Sequence, residues 1–308
     1  MKSRQYFATY IPGIGEIVKD SLNHLTELHE GFVVFSGDFK MQLFNNIYLL
    51  LGKYKASSVE ELAKNILFDN TLKDKIKNIS SDRKRSFRIR FSDKNIAKGI
   101  PGELLVKIEK LFLDKAYRID RTSPDDEIFG LVRDNGFGYF GLRVSPSDSN
   151  KNLAKGELRP QLSWIMCHLS EPNKNDIFWD PFAGSGAIAK MRAKIRSSKK
   201  IISTDIIKEG DFEEVSKKFD CKVNKIVTDP PWGIYEKVDI ENLYNRFLSV
   251  CEKTLDKNGL LVILVSRFIN FEEILLVHPV FTILKVYKIL VSGKPATIYK
   301  VGARSQRP

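Results

Sequence analysis

Two short stretches of this 308-residue chain place carboxylates beside tight turns. The first is Asp180-Pro181-Phe182-Ala183-Gly184-Ser185-Gly186. Its glycines let the backbone approach a ligand closely and turn into a following helix, and Asp180 offers a carboxylate to a ligand's amino group. A lone Gly-x-Gly is common in ordinary turns, but here it follows an apolar strand, opens a helix and carries an acid. The second is Asp229-Pro230-Pro231-Trp232-Gly233. Two prolines fix two φ angles and restrict the residue before them, so the Asp229 carboxylate and the Pro230 carbonyl become rigid acceptors. An exocyclic amine on a nucleobase is a weak nucleophile because its lone pair is conjugated into the ring. Two acceptors holding both of its hydrogens favour the tetrahedral nitrogen that can attack an electrophile. Trp232 offers a face to a base extruded from its helix. Taken alone, the second stretch fits an ordinary proline turn beside a packed tryptophan about as well.

Between them lie Asp205 and the run Gly210-Asp211-Phe212. An acid at a strand end can bond ribose hydroxyls, and Asp211 with Phe212 could take an adenine amine and ring. Singly, each acid is better explained as a helix cap or a solvated loop charge. The ordered set of acid-Gly-x-Gly, strand-end acid and Asp-Pro-Pro-aromatic is much harder to reach by chance.

The elements needed to position these residues are readable. From Asp176 onward strands and helices alternate: strands at Ile177 to Trp179, Ile201 to Thr204, Lys225 to Thr228 and Leu260 to Val265, and helices through Ile188, Met191 and Ile195 and over Asp239 to Thr254. Phe281 to Ile289 and Pro295 to Val301 read as a hairpin closing through Ser292-Gly293. This predicts an α/β, mostly parallel sheet with a C-terminal antiparallel hairpin and ligands at the carboxyl ends of its strands. The first half reads as α+β. It has strands at 5–11 and 31–36, an alternating strand Ser86 to Phe91, strands near Tyr117 to Ile119 and Ile128 to Arg133, and helices at Gly15 to Leu28, Phe39 to Leu51, Val59 to Leu67 and Gly102 to Lys115. The polar stretch Ser145 to Gly156 is the expected junction, dividing the chain into domains 1–150 and 151–308, with a helix at Leu158 to Leu169 leading into the second.

The chain carries 50 Lys+Arg against 38 Asp+Glu, a formal net charge of +12. Residues 1–150 hold 24 against 20 and residues 151–308 hold 26 against 18, with basic runs at Lys73 to Arg90 and Lys190 to Lys200. Such a surplus favours a polyanionic partner through counterion release, although either run also fits a solvated helix face. Cys167, Cys221 and Cys251 are far apart, so neither a metal site nor a disulfide framework is expected. No apolar segment is long enough to span a bilayer, and the cytoplasm is the expected location.

On these motifs the second half resembles the Rossmann-like amino-methyltransferases whose site reads (Asp/Asn)-Pro-Pro-aromatic. The whole chain resembles the THUMP-domain tRNA guanine methyltransferases, which act on the guanine 2-amino group. Gly156-Glu157-Leu158-Arg159-Pro160, Ser86 to Phe91, and Arg121-Thr122-Ser123-Pro124-Asp125 add to that likeness. The resemblance implies S-adenosylmethionine as cofactor, held by Asp180, Pro181, Phe182, Gly184, Ser185 and Gly186 with Asp205, Asp211 and Phe212. It implies that Asp229, Pro230, Pro231 and Trp232 hold the target base, and that the THUMP-like region grips the tRNA acceptor end. The sequence departs from the pattern where only Ile206 to Gly210 separates Asp205 from Asp211, in place of a full helix. The alternatives are a DNA or rRNA amino-methyltransferase, and a non-catalytic RNA-binding protein that keeps the fold. A dinucleotide-dependent dehydrogenase is disfavoured, because Gly-Ser-Gly lacks the longer Gly-x-Gly-x-x-Gly spacing and Asp-Pro-Pro-Trp has no role there.

Overall fold

The computed structural model describes residues 4–77, 85–113, 117–146, 153, 157–205, 211–233 and 239–303. Backbone contacts divide the chain into two compact units, Met1–Tyr10 with Glu16–Ser147, and Ile11–Gly15 with Asp148–Pro308. Most of the polar stretch expected as the junction lies outside the described residues, as do Gly156 and the short connection Ile206 to Gly210.

The first part of the chain runs β1 (Gln5–Thr9), α1 (Gly15–Asp20), β2 (His24–His29), β3 (Phe32–Ser36), β4 (Asn46–Lys55), α2 (Val59–Phe68), α3 (Leu72–Lys77), β5 (Arg85–Asp93), β6 (Ile96–Lys98), α4 (Gly102–Leu113), β7 (Tyr117–Ile119), β8 (Asp126–Val132) and β9 (Phe137–Arg143). The strands form one mixed sheet in the order β2-β3-β1-β4-β9-β8-β5-β6, with β7 also on β5. The pairs of β5 with β7 and with β8 are parallel and the rest antiparallel. Both faces carry apolar cores. On one, Leu51, Phe87, Ile89, Phe91, Ile128 and Phe140 meet α2, α3 and α4. On the other, Phe7, Phe32, Val34, Tyr48, Leu131 and Tyr139 pack together. Burying each of these large side chains contributes about 1.5–3 kcal/mol. Ser58 caps α2 by accepting from the Glu61 N–H at 3.1 Å, and the Glu61 carboxylate returns to the Ser57 N–H at 2.8 Å.

Two expected helices in this unit are corrected. Only Gly15–Asp20 of the stretch Gly15 to Leu28 is helical, and His24–His29 is a strand. Phe39 to Leu51 becomes a short 3-10 turn at Met41–Leu43 followed by β4. β4 runs through the sheet interior between β1 and β9. Tyr48 joins one core and Leu51 the other, so the polar positions that would reveal a period of two are missing. β9 was hidden for the same reason: adjacent Tyr139 and Phe140 are both buried, in opposite cores.

Glu127 of β8 is the polar centre of this sheet. It is 8% exposed and accepts from Arg143 at 2.7 Å, Arg88 at 3.0 Å and Arg90 at 3.4 Å. Burial alone would raise its carboxyl, but the Arg143 and Arg88 guanidiniums outweigh that and hold it below the usual range. Its contribution is therefore present above the ordinary Glu range and lost as pH falls through the lowered value. Glu127→Ala is expected to destabilise this unit by about 1–3 kcal/mol, since it leaves the half-buried Arg143 and Arg88 without the carboxylate they share. Hydrogen exchange in β5, β8 and β9 reads this directly, and protection unchanged within about 0.5 kcal/mol would show that solvent already satisfies the arginines.

The second part runs α5 (Pro160–Leu169), β10 (Ile177–Asp180), α6 (Ala187–Ile195), β11 (Lys200–Ser203), α7 (Phe212–Ser216), β12 (Val223–Thr228), α8 (Ile240–Thr254), β13 (Leu255–Ser266), α9 (Phe271–Leu276), β14 (Phe281–Val291) and β15 (Lys294–Ala303). Its sheet order is β11-β10-β12-β13-β15-β14. β10 to β13 are parallel, and β15 pairs antiparallel with β13 and β14. The expected α/β sheet with its antiparallel hairpin is present. Ser292 and Gly293 close the hairpin at φ 50° and 81°, as a two-residue turn of the I′ kind requires. β13 has Leu260 to Ser266 all buried, which is why it reads as an unbroken apolar run. α8 packs Leu243, Tyr244, Phe247, Leu248 and Cys251 into the core along one stripe. The consequence for function lies in the order β11-β10-β12. The chain leaves β10 in one direction to form β11 and returns on the other side as β12. This reversal of direction falls at the carboxyl ends of β10 and β12, the place where open α/β sheets bind their ligands.

Candidate active site

Asp180 ends β10 and Asp229 follows the end of β12. The two stretches singled out by sequence therefore flank the topological switch. Asp205, two residues beyond β11, borders the same edge and contributes repulsion to Asp180, as Asp229 does. The loop ends are tied together by hydrogen bonds. The Thr204 N–H donates to the Asp180 carbonyl at 2.9 Å, the Ala183 N–H to the Thr204 carbonyl at 2.9 Å, and the Gly186 N–H to the Ala183 carbonyl at 2.7 Å. The Trp179 indole donates to the Thr204 hydroxyl at 3.0 Å.

Asp180 is wholly buried. Its Oδ1 accepts from the Thr228 hydroxyl at 2.8 Å, whereas its buried Oδ2 takes no hydrogen bond from the described residues. Burial pushes the carboxyl up to about 7, against the pull of the Thr228 hydroxyl and the Phe182 N–H. A buried acceptor without a donor costs free energy comparable to a lost hydrogen bond. Beside it, Gly184 and Gly186 take φ of 49° and 75°, the left-handed region that favours glycine. A Cβ at Gly184 would meet none of the described residues within 4 Å, and Gly184 and Ser185 are exposed. An orphaned carboxylate oxygen beside an open backbone turn suits a ligand carrying a cationic amine, as the α-amino group of S-adenosylmethionine is.

Asp229 sits in a stiff corner. Pro230 is buried, Pro231 and Trp232 are half-buried and Gly233 is exposed, so the corner opens to solvent on one side. The Trp232 indole N–H donates to Asp229 Oδ1 at 2.9 Å. Burial raises the Asp229 carboxyl to about 7, with the indole drawing it down. The Tyr244 hydroxyl donates to the Pro231 carbonyl at 3.4 Å, anchoring the corner to α8.

The remaining predicted residues fall into place unevenly. Asp211 is the N-cap of α7: Oδ1 accepts from the Glu213 N–H at 3.1 Å and Oδ2 from Arg246 at 2.7 Å. Phe212 is fully buried, with its ring 5.2 Å from that of Phe182 and 6.0 Å from that of Phe247. Asp211 thus acts as a cap with both oxygens engaged, and Phe212 as core that supports Phe182. Pro181 is buried behind the glycine turn. Thr228, Thr204 and Tyr244 escaped sequence reasoning. A strand-end threonine carries no signal of its own, and only the juxtaposition of β10 with β12 gives its hydroxyl a role.

Residues 190–286 match the family described as UPF0020, RMKL-like, methyltransferase domain. That span contains the Asp229 corner and begins just after the Asp180 turn. Over 142 residues the chain is 28% identical to tRNA (guanine(10)-N2)-dimethyltransferase of Methanothermobacter thermautotrophicus, covering 39% of this chain and 42% of that protein. Over 139 residues it is 31% identical to the Probable tRNA (guanine(10)-N2)-dimethyltransferase of Methanothermococcus thermolithotrophicus, covering 36% of this chain and 83% of that sequence. The chain thus spans less than half the length of the first relative. The crystal structure of TrmN from Thermus thermophilus superposes with a TM-score of 0.73 at 16% identity, covering 97% of this chain and 99% of that one, which extends the likeness in fold to both units. These likenesses show that the chain belongs to the RMKL-like methyltransferases and carries an S-adenosylmethionine-dependent methyltransferase domain.

Proposed function

We propose that this protein transfers a methyl group to the exocyclic 2-amino group of a guanine in tRNA. The observation that carries the reading is the position of Asp229 and its two prolines at the switch point, across from the Asp180 turn. When bound, S-adenosylmethionine supplies a methyl group already activated by a sulfonium sulfur. Asp180 and the Gly184–Gly186 turn hold the donor's amino-acid end. Asp229 and the Pro230 carbonyl accept the two amine hydrogens, which pulls the nitrogen lone pair out of conjugation. With a donor bound, the amine nitrogen would exchange one N–H for the methyl group released from sulfur, and Asp229 would accept the proton it sheds. Asp229 must be ionised to begin, so turnover rises with pH through about 7. The Trp232 indole now occupies Asp229 Oδ1 and gives way when the base amine takes that oxygen.

The choice of RNA rests on the net charge of +12 and on the names of the two relatives. In this reading the first unit, with partly exposed Arg85, Arg90 and Arg121 on and beside its sheet, binds the tRNA. Labelled methyl transfer into unmodified tRNA, rRNA and duplex DNA should give tRNA the highest rate. Equal or greater incorporation into rRNA or DNA would overturn the choice of substrate.

A further inference from the structure

Thr228 stands between the two halves of the site, and neither the methyl-donor turn nor the base-binding corner claims it. It is fully buried at the end of β12, paired with Ile263 of β13 and followed at once by Asp229. Its hydroxyl works in two directions, donating to Asp180 Oδ1 at 2.8 Å and accepting from the Phe182 N–H at 3.3 Å. One side chain thus pins both the acid that opens the glycine turn and the backbone two residues into it, and it does so from the strand that bears the corner.

We propose that Thr228 is a positioning residue, whose hydroxyl orients the Asp180 carboxylate so that Oδ2 stays free for the methyl donor's amine and locks the glycine turn to the Asp229 corner. The inference rests on the assignment of Asp180 to the donor. It is independent of which RNA is modified. With Oδ1 engaged by Thr228 and Oδ2 without a hydrogen bond among the described residues, the carboxylate is preorganised for one further hydrogen bond, which lowers the cost of binding. Burial is the main influence that disfavours the Asp180 charge, and Asp229 after β12 and Asp205 after β11 add repulsion; the Cys167 thiol of α5, which burial keeps protonated, adds no charge of its own. The Thr228 hydroxyl and the Phe182 N–H oppose them. Removing the hydroxyl therefore raises the pH at which Asp180 ionises.

Calorimetric binding of S-adenosylmethionine alone, from pH 6 to pH 9, tests this on Thr228→Val and Thr228→Ser. The isosteric valine variant should bind about ten- to a hundredfold more weakly at pH 7, with its pH midpoint moved upward. Serine, which keeps the hydroxyl, should restore both. A purely structural role would weaken binding equally at every pH. Wild-type affinity and pH midpoint in a folded Thr228→Val protein, or equal loss in Thr228→Val and Thr228→Ser, would overturn the proposal. Because no RNA is present, neither result bears on the substrate assignment, and a tRNA left unmethylated would leave this tie standing.

Discussion

Replacing Asp229 with alanine should slow methyl transfer by about two to four orders of magnitude while leaving S-adenosylmethionine binding within about threefold of the parent, roughly the spread of uncoupled substitutions. The two effects separate because the proposed mechanism sets Asp229 against the amine and Asp180 against the donor. In Asp229→Asn a carbonyl oxygen remains to accept one amine hydrogen, but no carboxylate remains to take the proton. That variant should fall between alanine and the parent and lose the rise of rate through pH 7. Burial holds the Asp229 carboxyl near 7, so in the parent the base form is scarce at pH 6 and dominant at pH 8. Single-turnover rates across that range, with donor and RNA saturating, report the effect on transfer itself. Parent-like turnover in Asp229→Ala would remove the corner from the chemistry, and a matching loss of donor binding would make it a fold defect.

A larger effect on binding is expected at Asp180. Truncating one partner of a buried charged hydrogen bond commonly costs 30-fold or more in affinity, by roughly 2–5 kcal/mol. Asp180→Asn should therefore weaken S-adenosylmethionine binding by about two orders of magnitude or more. The same substitution should change how stability responds to pH in the free protein. Asp180 titrates near 7 when folded and near 3.9 when unfolded. Between these values the folded state holds a proton that the unfolded state has released, so the parent loses stability as pH rises from about 4 to about 7, and the loss is complete above it. Asparagine has no such proton. The stability of the variant relative to the parent should climb by on the order of 2–4 kcal/mol between pH 4 and pH 8. A constant cost, such as an unsatisfied amide, cancels in that comparison. Urea denaturation at the two pH values reads it. A flat difference would mean that Asp180 is solvated and carries no functional strain.

The legible part of this protein is the part where chemistry and local geometry coincide. Asp180-Pro-Phe-Ala-Gly-Ser-Gly was readable because a strand end, an acid and two glycines fall together, and in the structure the acid ends β10 and Gly184 and Gly186 take positive φ. The Asp229 corner was readable because consecutive prolines restrict the backbone whatever surrounds them. The hairpin through Ser292-Gly293 was readable from its turn residues alone. What escaped depends on tertiary context. β4 and β9 lie between two cores, so burial on both faces removed their alternation. The partner of Asp211, Arg246, lies 35 residues away in α8, so no local pattern announces their ion pair. Thr228 gained a role only when β12 was laid against β10.

The proposed task of the corner is to hold an amine, and the methylated nucleoside is the most direct record of that. Purified protein incubated with S-adenosylmethionine and unmodified tRNA, followed by nuclease digestion and mass spectrometry of the nucleosides, should yield guanosine methylated on its 2-amino nitrogen. Methyl groups confined to ring nitrogens, carbons or ribose oxygens would contradict the account, because none of those atoms offers two hydrogens to the Asp229 and Pro230 oxygens.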